Sequence, residues 1–208
     1  MFKDRYQAGE LLADALTAYK NNKKAIILAI PRGALQIGKV LHEKLNLPLD
    51  IIVTKKIPHP NNPEYAIGAV GLEGEHILDV SACYNVSPDY VKNKIADLQK
   101  KMEEKYVRYR GNNPKPNLRN KLVIIVDDGI ATGNTIITAI KLVKRQKPAR
   151  IVVVVPVSAP DAAEKIRKEV DDFVCLIVSE FMAISQFYDS FPQVEDEDAI
   201  KILKECSG

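Results

Sequence analysis

The sequence predicts an α/β fold: a single doubly wound domain with a mainly parallel sheet flanked by helices. Two observations predict it. Short runs of continuous apolar, often β-branched residues recur along the chain, as in AIILAI (25–30) and LDIIVT (49–54). Between them lie stretches whose apolar residues fall at helical spacing. Strands that are apolar at every position must be covered on both faces, and the intervening helices supply the cover.

The elements follow in order. Residues 5–20 carry Tyr6, Leu12, Leu16 and Tyr19 on one stripe, widened by Ala8, Leu11 and Ala15, which predicts a helix. Strand 25–30 stops at Pro31, and 33–46 returns to helical spacing through Leu35, Ile37, Val40, Leu41 and Leu45. Strand 49–54 leads into KKIPHPNNPEY (55–65), whose Pro and Asn density predicts an irregular segment. Residues 66–80 are expected to form a short β excursion broken at Gly68, Gly71 and Gly74. In SPDY, Ser87 as N-cap and Pro88 at the first helical position open a helix running to about Arg110, before GNNPKP. Then come strand 122–126, helix 133–146, strand 150–155, helix 160–169 and strand 173–178. A terminal helix is expected near 197–205. With 208 residues, 46% of them hydrophobic, and no linker or repeat, one domain over 1–208 accounts for the chain, with a core of about 20–180 and a tail over about 181–208.

Composition excludes several classes. The net charge of +3 is mild, and the densest basic run, KKMEEKYVRYR, interleaves Glu103 and Glu104, so it reads as a solvated helix face and no nucleic-acid partner is expected. Cys83, Cys175 and Cys206 are scattered, form no CxxC, and share no metal spacing with His42, His59 or His76. A reduced, cytoplasmic protein without structural zinc is expected. The start MFKDRYQAGE is not of signal-peptide type, and IVVVVPV (151–157) is too short to span a bilayer, so no membrane partner is expected.

In doubly wound sheets, ligands sit beyond the carboxyl ends of the strands. Three loops leave strand ends there: PRG (31–33), KKIPHPNNPEY (55–65) and DDGIATGNT (127–135). The third divides into two halves. Thr132, Gly133, Asn134 and Thr135 open a helix, where unpaired N–H groups, the positive dipole end and hydroxyls suit a phosphate. Asp127 and Asp128 would repel that phosphate and must face a diol or a cation one sugar-length away. A sugar phosphate with vicinal hydroxyls satisfies both halves. The plain alternative is an ordinary strand-end acid followed by an N-cap. A Walker-B reading lacks GxxxxGK[ST], a dinucleotide reading fails because GAVGLEG is not GxGxxG, and a receiver-domain reading leaves ATGNT without a use.

VIIVDDGIATGNT (123–135) resembles the phosphoribosyl-diphosphate (PRPP) binding motif of type I phosphoribosyltransferases: four apolar residues, two acids, two small or apolar residues, then A-T-G-x-T. LAIPRGALQIG, KKIPHPNNPEYAIGAV and FYDSFPQV extend the likeness to a bacterial and archaeal group of these enzymes whose substrate is unassigned. The resemblance implies Mg²⁺-dependent transfer of a 5-phosphoribosyl group from PRPP to a nitrogen nucleophile such as a nucleobase, with release of pyrophosphate. It implies that Asp127 and Asp128 bind the ribose hydroxyls, with Mg²⁺ nearby through water or ribose oxygens. Ala131, Thr132, Gly133, Asn134 and Thr135 then hold the 5-phosphate, and Pro31, Arg32 and Gly33 the pyrophosphate. Arg32 suits that role as a fork of donors, and Gly33 as a helix start exposing N–H groups; Arg32 as a surface ion-pair partner is the alternative. By the same resemblance a flexible loop of about 56–66 closes over the centre, with Lys55, Lys56 and Glu64 joining Arg32 and the two acids in catalysis; Glu64 as a plain solvated residue is the alternative. His59 receives no role. Enzymes acting on 6-oxopurines usually carry Asp where this chain has Ala131, so such acceptors are disfavoured. A C-terminal hood over 181–193 would cover the acceptor through Phe187, Tyr188, Asp189 and Phe191, unless these aromatics simply pin the tail. Dimers are common in the family, though no residue pattern here shows one. Two other readings use the same site: a PRPP or nucleotide sensor, and a hydrolase of phosphorylated sugars.

Overall fold

A computed structural model describes residues 1–111 and 113–206. Asn112, within the expected break after the long helix, and Ser207 and Gly208, the end of the expected tail, lie outside the described residues. The elements run α1 (Arg5–Ala15), β1 (Ala25–Ala29), α2 (Ala34–Leu45), β2 (Leu49–Ile51), β3 (Thr54–His59), β4 (Asn62–Gly71) and β5 (His76–Leu78). They continue through α3 (Pro88–Arg110), β6 (Leu122–Val126), α4 (Asn134–Arg145), β7 (Arg150–Ser158), α5 (Pro160–Arg167), β8 (Asp172–Val178) and α6 (Asp196–Glu205).

The main sheet has the order β2-β1-β6-β7-β8, and every neighbouring pair is parallel. Alternate residues of each strand feed two cores, as the pleat requires. Ile27, Ala29, Ile124 and Val126 pack toward α1, α2, α3 and α6, where Leu12, Leu41, Met102 and Leu203 meet them. Ile26, Leu28, Val123 and Ile125 pack toward α4 and α5, against Ile140, Val143 and Ile166. The doubly wound α/β architecture is therefore present with helices on both faces, and no helix among the described residues is long and apolar enough to cross a membrane. The described residues include no group of three or more His, Cys, Asp or Glu placed to hold a metal, and all three cysteines are free.

Two local expectations require correction. The apolar run 49–54 divides: β2 ends at Ile51, and Thr54 already belongs to β3 in a second sheet. Residues 55–65 are regular, as the strands of a hairpin in an antiparallel sheet of order β3-β4-β5. The prolines fit because of where they fall. Pro58 lies on edge strand β3 at a register irregularity, opposite Ala66. Pro63 lies at the end of β4 beyond its pairing with β5, which covers only Gly68–Val70. A missing N–H is tolerated at an edge or a bulge, so proline density did not exclude strands.

One buried charge ties α3 to the main sheet. Asp50 on β2 is 3% exposed, lies 3.3 Å from the Arg110 guanidinium, and accepts a hydrogen bond from the Tyr106 hydroxyl at 2.9 Å. The Ile51 N–H adds a third contact at 2.7 Å. Burial pushes the Asp50 carboxyl above its ordinary value, and Arg110 and these donors act against that shift. A hydrogen bond to a charged group contributes about 1.5–3 kcal/mol. Tyr106→Phe is therefore expected to lower unfolding free energy by about that amount in a denaturant titration; an unchanged midpoint would show that α3 is held without this contact.

Candidate functional site

Strands β1 and β6 lie side by side in parallel, with Ala29 opposite Val126. Their carboxyl ends consequently deliver PRG and DDGIATGNT to one place. The Ile30 N–H still donates to the Val126 carbonyl at 3.0 Å, so the two loops diverge only after that bond.

The second loop is an arch pinned at both feet on β7. At one foot the Asp127 N–H reaches the Val154 carbonyl at 3.4 Å; at the other, the Ile130 N–H reaches the Val157 carbonyl at 2.9 Å. Buried Ile130 anchors the second foot, and Asp128 and Gly129 span the interval between the two. Past the arch, Gly133 takes φ +78°, the left-handed conformation, and starts α4. No side chain caps this helix, and its first backbone bond is made by the Ile137 N–H to the Gly133 carbonyl. Amides at the start of α4 are thus open to an anion.

Asp127 and the run Gly129–Ile136 line a single cleft, with Ile184 as the wall opposite. The cleft thus brings Asp127 and the start of α4 together, while Asp128 does not line it. Burial, with the Asp128 carboxylate beside it, pushes the Asp127 carboxyl well above its ordinary value. Its Oδ1 accepts the Asp128 N–H at 2.9 Å.

Asp128 points to the other loop. Its Oδ2 meets Arg5 Nε at 2.7 Å, with the Asp128 side chain 17% and the Arg5 side chain 5% exposed. A β-carbon on Gly33 would lie 2.1 Å from this same oxygen. Gly33 has φ −56° and ψ −40°, an ordinary helical conformation, so its backbone angles do not demand glycine. What demands it is the carboxylate packed against it. The sequence reading, in which Gly33 serves to expose N–H groups, missed this contact.

Arg32 is placed on the same loop, but its guanidinium reaches Glu195 at 3.3 Å and Asp196 at 3.2 Å. Asp196 is also held by Arg108 and the Tyr109 hydroxyl, and these partners, Tyr109 foremost, keep its carboxyl below the ordinary range. The peptide between Pro31 and Arg32 is cis.

Other expected site residues lie elsewhere. Lys55 and Lys56 are exposed neighbours on β3 and so point to opposite faces, and Glu64 is exposed on β4; none of them lines the cleft. The hood aromatics are largely committed to the tail. Tyr188 is 6% exposed, packs on Phe2 and Phe191, and donates its hydroxyl to the Asp128 carbonyl at 2.7 Å. Phe191 lies under the Arg5 guanidinium, 3.6 Å from ring centroid to Cζ. Asp189 is tied through its N–H to the Phe2 carbonyl, and Phe187 stacks edge-on with Phe181. Tyr188 and Phe191 therefore offer no free ring face to a ligand, because both pin the tail to the N-terminal helix. The residues that do border the loop were not singled out: Ile184 in the cleft, and Phe181 with Lys165 and Glu180 beside Ala131, Thr132 and Asn134. Phe181 and Ile184 fall within the 181–193 stretch expected as a hood, whereas Lys165, on α5, and Glu180 carried no signal of their own. Arg5 was missed for want of any motif.

A family model described as phosphoribosyl transferase domain matches residues 3–191. Two Mycobacterium tuberculosis proteins provisionally named phosphoribosyl transferases, from strains H37Rv and CDC 1551, are each 30% identical over 98% of the chain. The chain spans 46% of the length of these curated relatives. A uracil phosphoribosyltransferase of Mycoplasma genitalium is 42% identical over 64 residues, 29% of the chain and 31% of that relative. Among solved structures, TT1426 of Thermus thermophilus is 35% identical, with a TM-score of 0.85 over 100% of this chain and 99% of its own.

The packing at Gly33 is directly testable. Gly33→Ala forces the Asp128 carboxylate or Arg5 to shift, and overpacking of this kind costs about 1–3 kcal/mol. A lower melting temperature is expected; full retention would show that the Asp128 side chain is not fixed there.

Proposed function

The chain belongs to the phosphoribosyl transferase domain family, and from that premise we propose that it transfers a 5-phosphoribosyl group from PRPP to a nitrogen nucleophile, releasing pyrophosphate. The observation that carries this reading is one cleft with Asp127 at one end and the uncapped start of α4 at the other, beside the loop bearing Arg32. The 5-phosphate is received by amides and hydroxyls of Thr132–Thr135. Asp127 and Asp128 accept hydrogen bonds from the ribose hydroxyls. Pyrophosphate lies along Pro31–Gly33, and Arg32 leaves Glu195 and Asp196 to meet it. Bond breaking at the anomeric carbon leaves positive charge on the sugar and negative charge on pyrophosphate. Fixed donors and carboxylates that match this separation lower the barrier, and orientation of the acceptor adds to it.

Mg²⁺ fits this donor set. It binds substrate phosphates and keeps several waters, and Asp127 and Asp128 would hold it through those waters or the ribose oxygens. When bound it would offset charge on the diphosphate. Ala131 has no side chain to exchange a proton with a base, which disfavours 6-oxopurines as acceptors. Phe181 and Ile184, rather than the aromatics of 187–191, supply apolar wall for a flat ring. Lys55, Lys56 and Glu64 reach the centre only if the β3–β4 hairpin moves over it.

The test is pyrophosphate release from PRPP and Mg²⁺ against a panel that includes uracil and adenine. Base-dependent release is expected. Release independent of base would replace transfer with hydrolysis, and tight PRPP binding without release would mark a sensor. The double replacement Asp127→Asn and Asp128→Asn removes two charge-assisted contacts of about 1.5–3 kcal/mol each, so use of PRPP should fall at least about a hundredfold. Near-normal turnover in that variant would refute the ribose assignment.

A further inference from the structure

We propose that Arg5, on the first helix, is a positioning residue for the transfer reaction, acting through Asp128; this rests on the ribosyl reading above. Three contacts define its geometry. Nε donates to Asp128 Oδ2 at 2.7 Å, an Nη donates to the Pro192 carbonyl at 2.8 Å, and the guanidinium plane covers the Phe191 ring. The side chain is 5% exposed, and its Nε packs against the α-carbon of Gly33 as well as against the carboxylate. A planar fork held at three points has little freedom, and the carboxylate it grips inherits that order.

Two further constraints make Asp128 the recipient. Tyr188 fixes its main-chain carbonyl, and the bare α-carbon of Gly33 leaves just the space that Oδ2 fills. Asp128 is thereby set at the seam between the pyrophosphate loop and the ribose seat, with one oxygen used by Arg5 and the other left for a sugar hydroxyl. Without Arg5, two adjacent carboxylates face each other without this counter-charge, and Asp128 is free to rotate away from Asp127. Arg5 touches no ligand in this scheme.

The experiment measures PRPP affinity by calorimetry in the presence of Mg²⁺, for the full chain, with melting temperatures taken alongside. Arg5→Met should weaken PRPP binding roughly tenfold or more. Arg5→Lys, which keeps a cation beside Asp128 but loses the fork and the ring stacking, should recover only part of the affinity lost in Arg5→Met, whereas Arg5→Gln should recover none. In the Asp128→Asn background, Arg5→Met should change affinity by less than about twofold, because its effect passes through the carboxylate. A merely structural arginine would lower the melting temperature and leave this coupling at zero. Should Arg5→Met fail to fold, the Lys and Gln variants decide alone. Equal loss in both Asp128 backgrounds, or wild-type affinity for Arg5→Gln, overturns the proposal. A wild-type protein that does not bind PRPP overturns the ribosyl reading instead.

Discussion

The parallel pairing of β1 with β6 governs the rest of the molecule. Parallel strands point their carboxyl ends the same way, so two loops far apart in sequence must emerge side by side. One carries an arginine and a glycine, and the other carries two acids and a helix start. Their proximity creates a place where a ligand with separated charges can be held, and it also creates an electrostatic problem. Asp127 and Asp128 are adjacent and largely withdrawn from water, where like charges repel strongly.

The fold answers with counter-charge from its two ends. Arg5 comes from the first helix, and the segment that braces it, Tyr188–Pro192, comes from the tail. A similar balance exists at the neighbouring loop, where Arg32 lies against the acids that begin α6. Those acids have a local reason to be there: Asp196, Glu197 and Asp198 occupy the first turn of a helix, where negative charge opposes the dipole. Asp196 therefore serves the helix and holds Arg32 at once. On the proposed function, pyrophosphate would compete with Glu195 and Asp196 for the guanidinium.

Much of this was legible in the chain and some was not, for physical reasons. The buried strands announced themselves because continuous apolar runs such as Ile124–Val126 have few other uses. The two loops stood out because Gly, Arg and Thr gather where a buried strand stops, and the parallel pairing of β1 with β6 brings them side by side. The β3–β4 hairpin was hidden, since whether proline breaks a strand depends on whether its N–H was needed, and edge placement is a tertiary fact. Arg5 was hidden for the same kind of reason. Its partner lies 123 residues away, and no spacing along a helix encodes such a meeting. The aromatics of the tail were visible as a cluster, but composition could not tell a ligand-facing ring from one that fastens two segments. Asp50 offered only an acid in an apolar run; its partners Tyr106 and Arg110 belong to a helix more than fifty residues on.

The contact between Arg5 and Pro192 joins residues 187 positions apart. A growing chain on the ribosome therefore carries all five strands of the main sheet before the segment that braces Arg5 is made. During that interval Asp127 and Asp128 lack the tail that braces the arginine beside them. The helix α6, whose Leu203 packs in the core, follows still later, so the last residues made complete both the packing and the loop that carries the two acids.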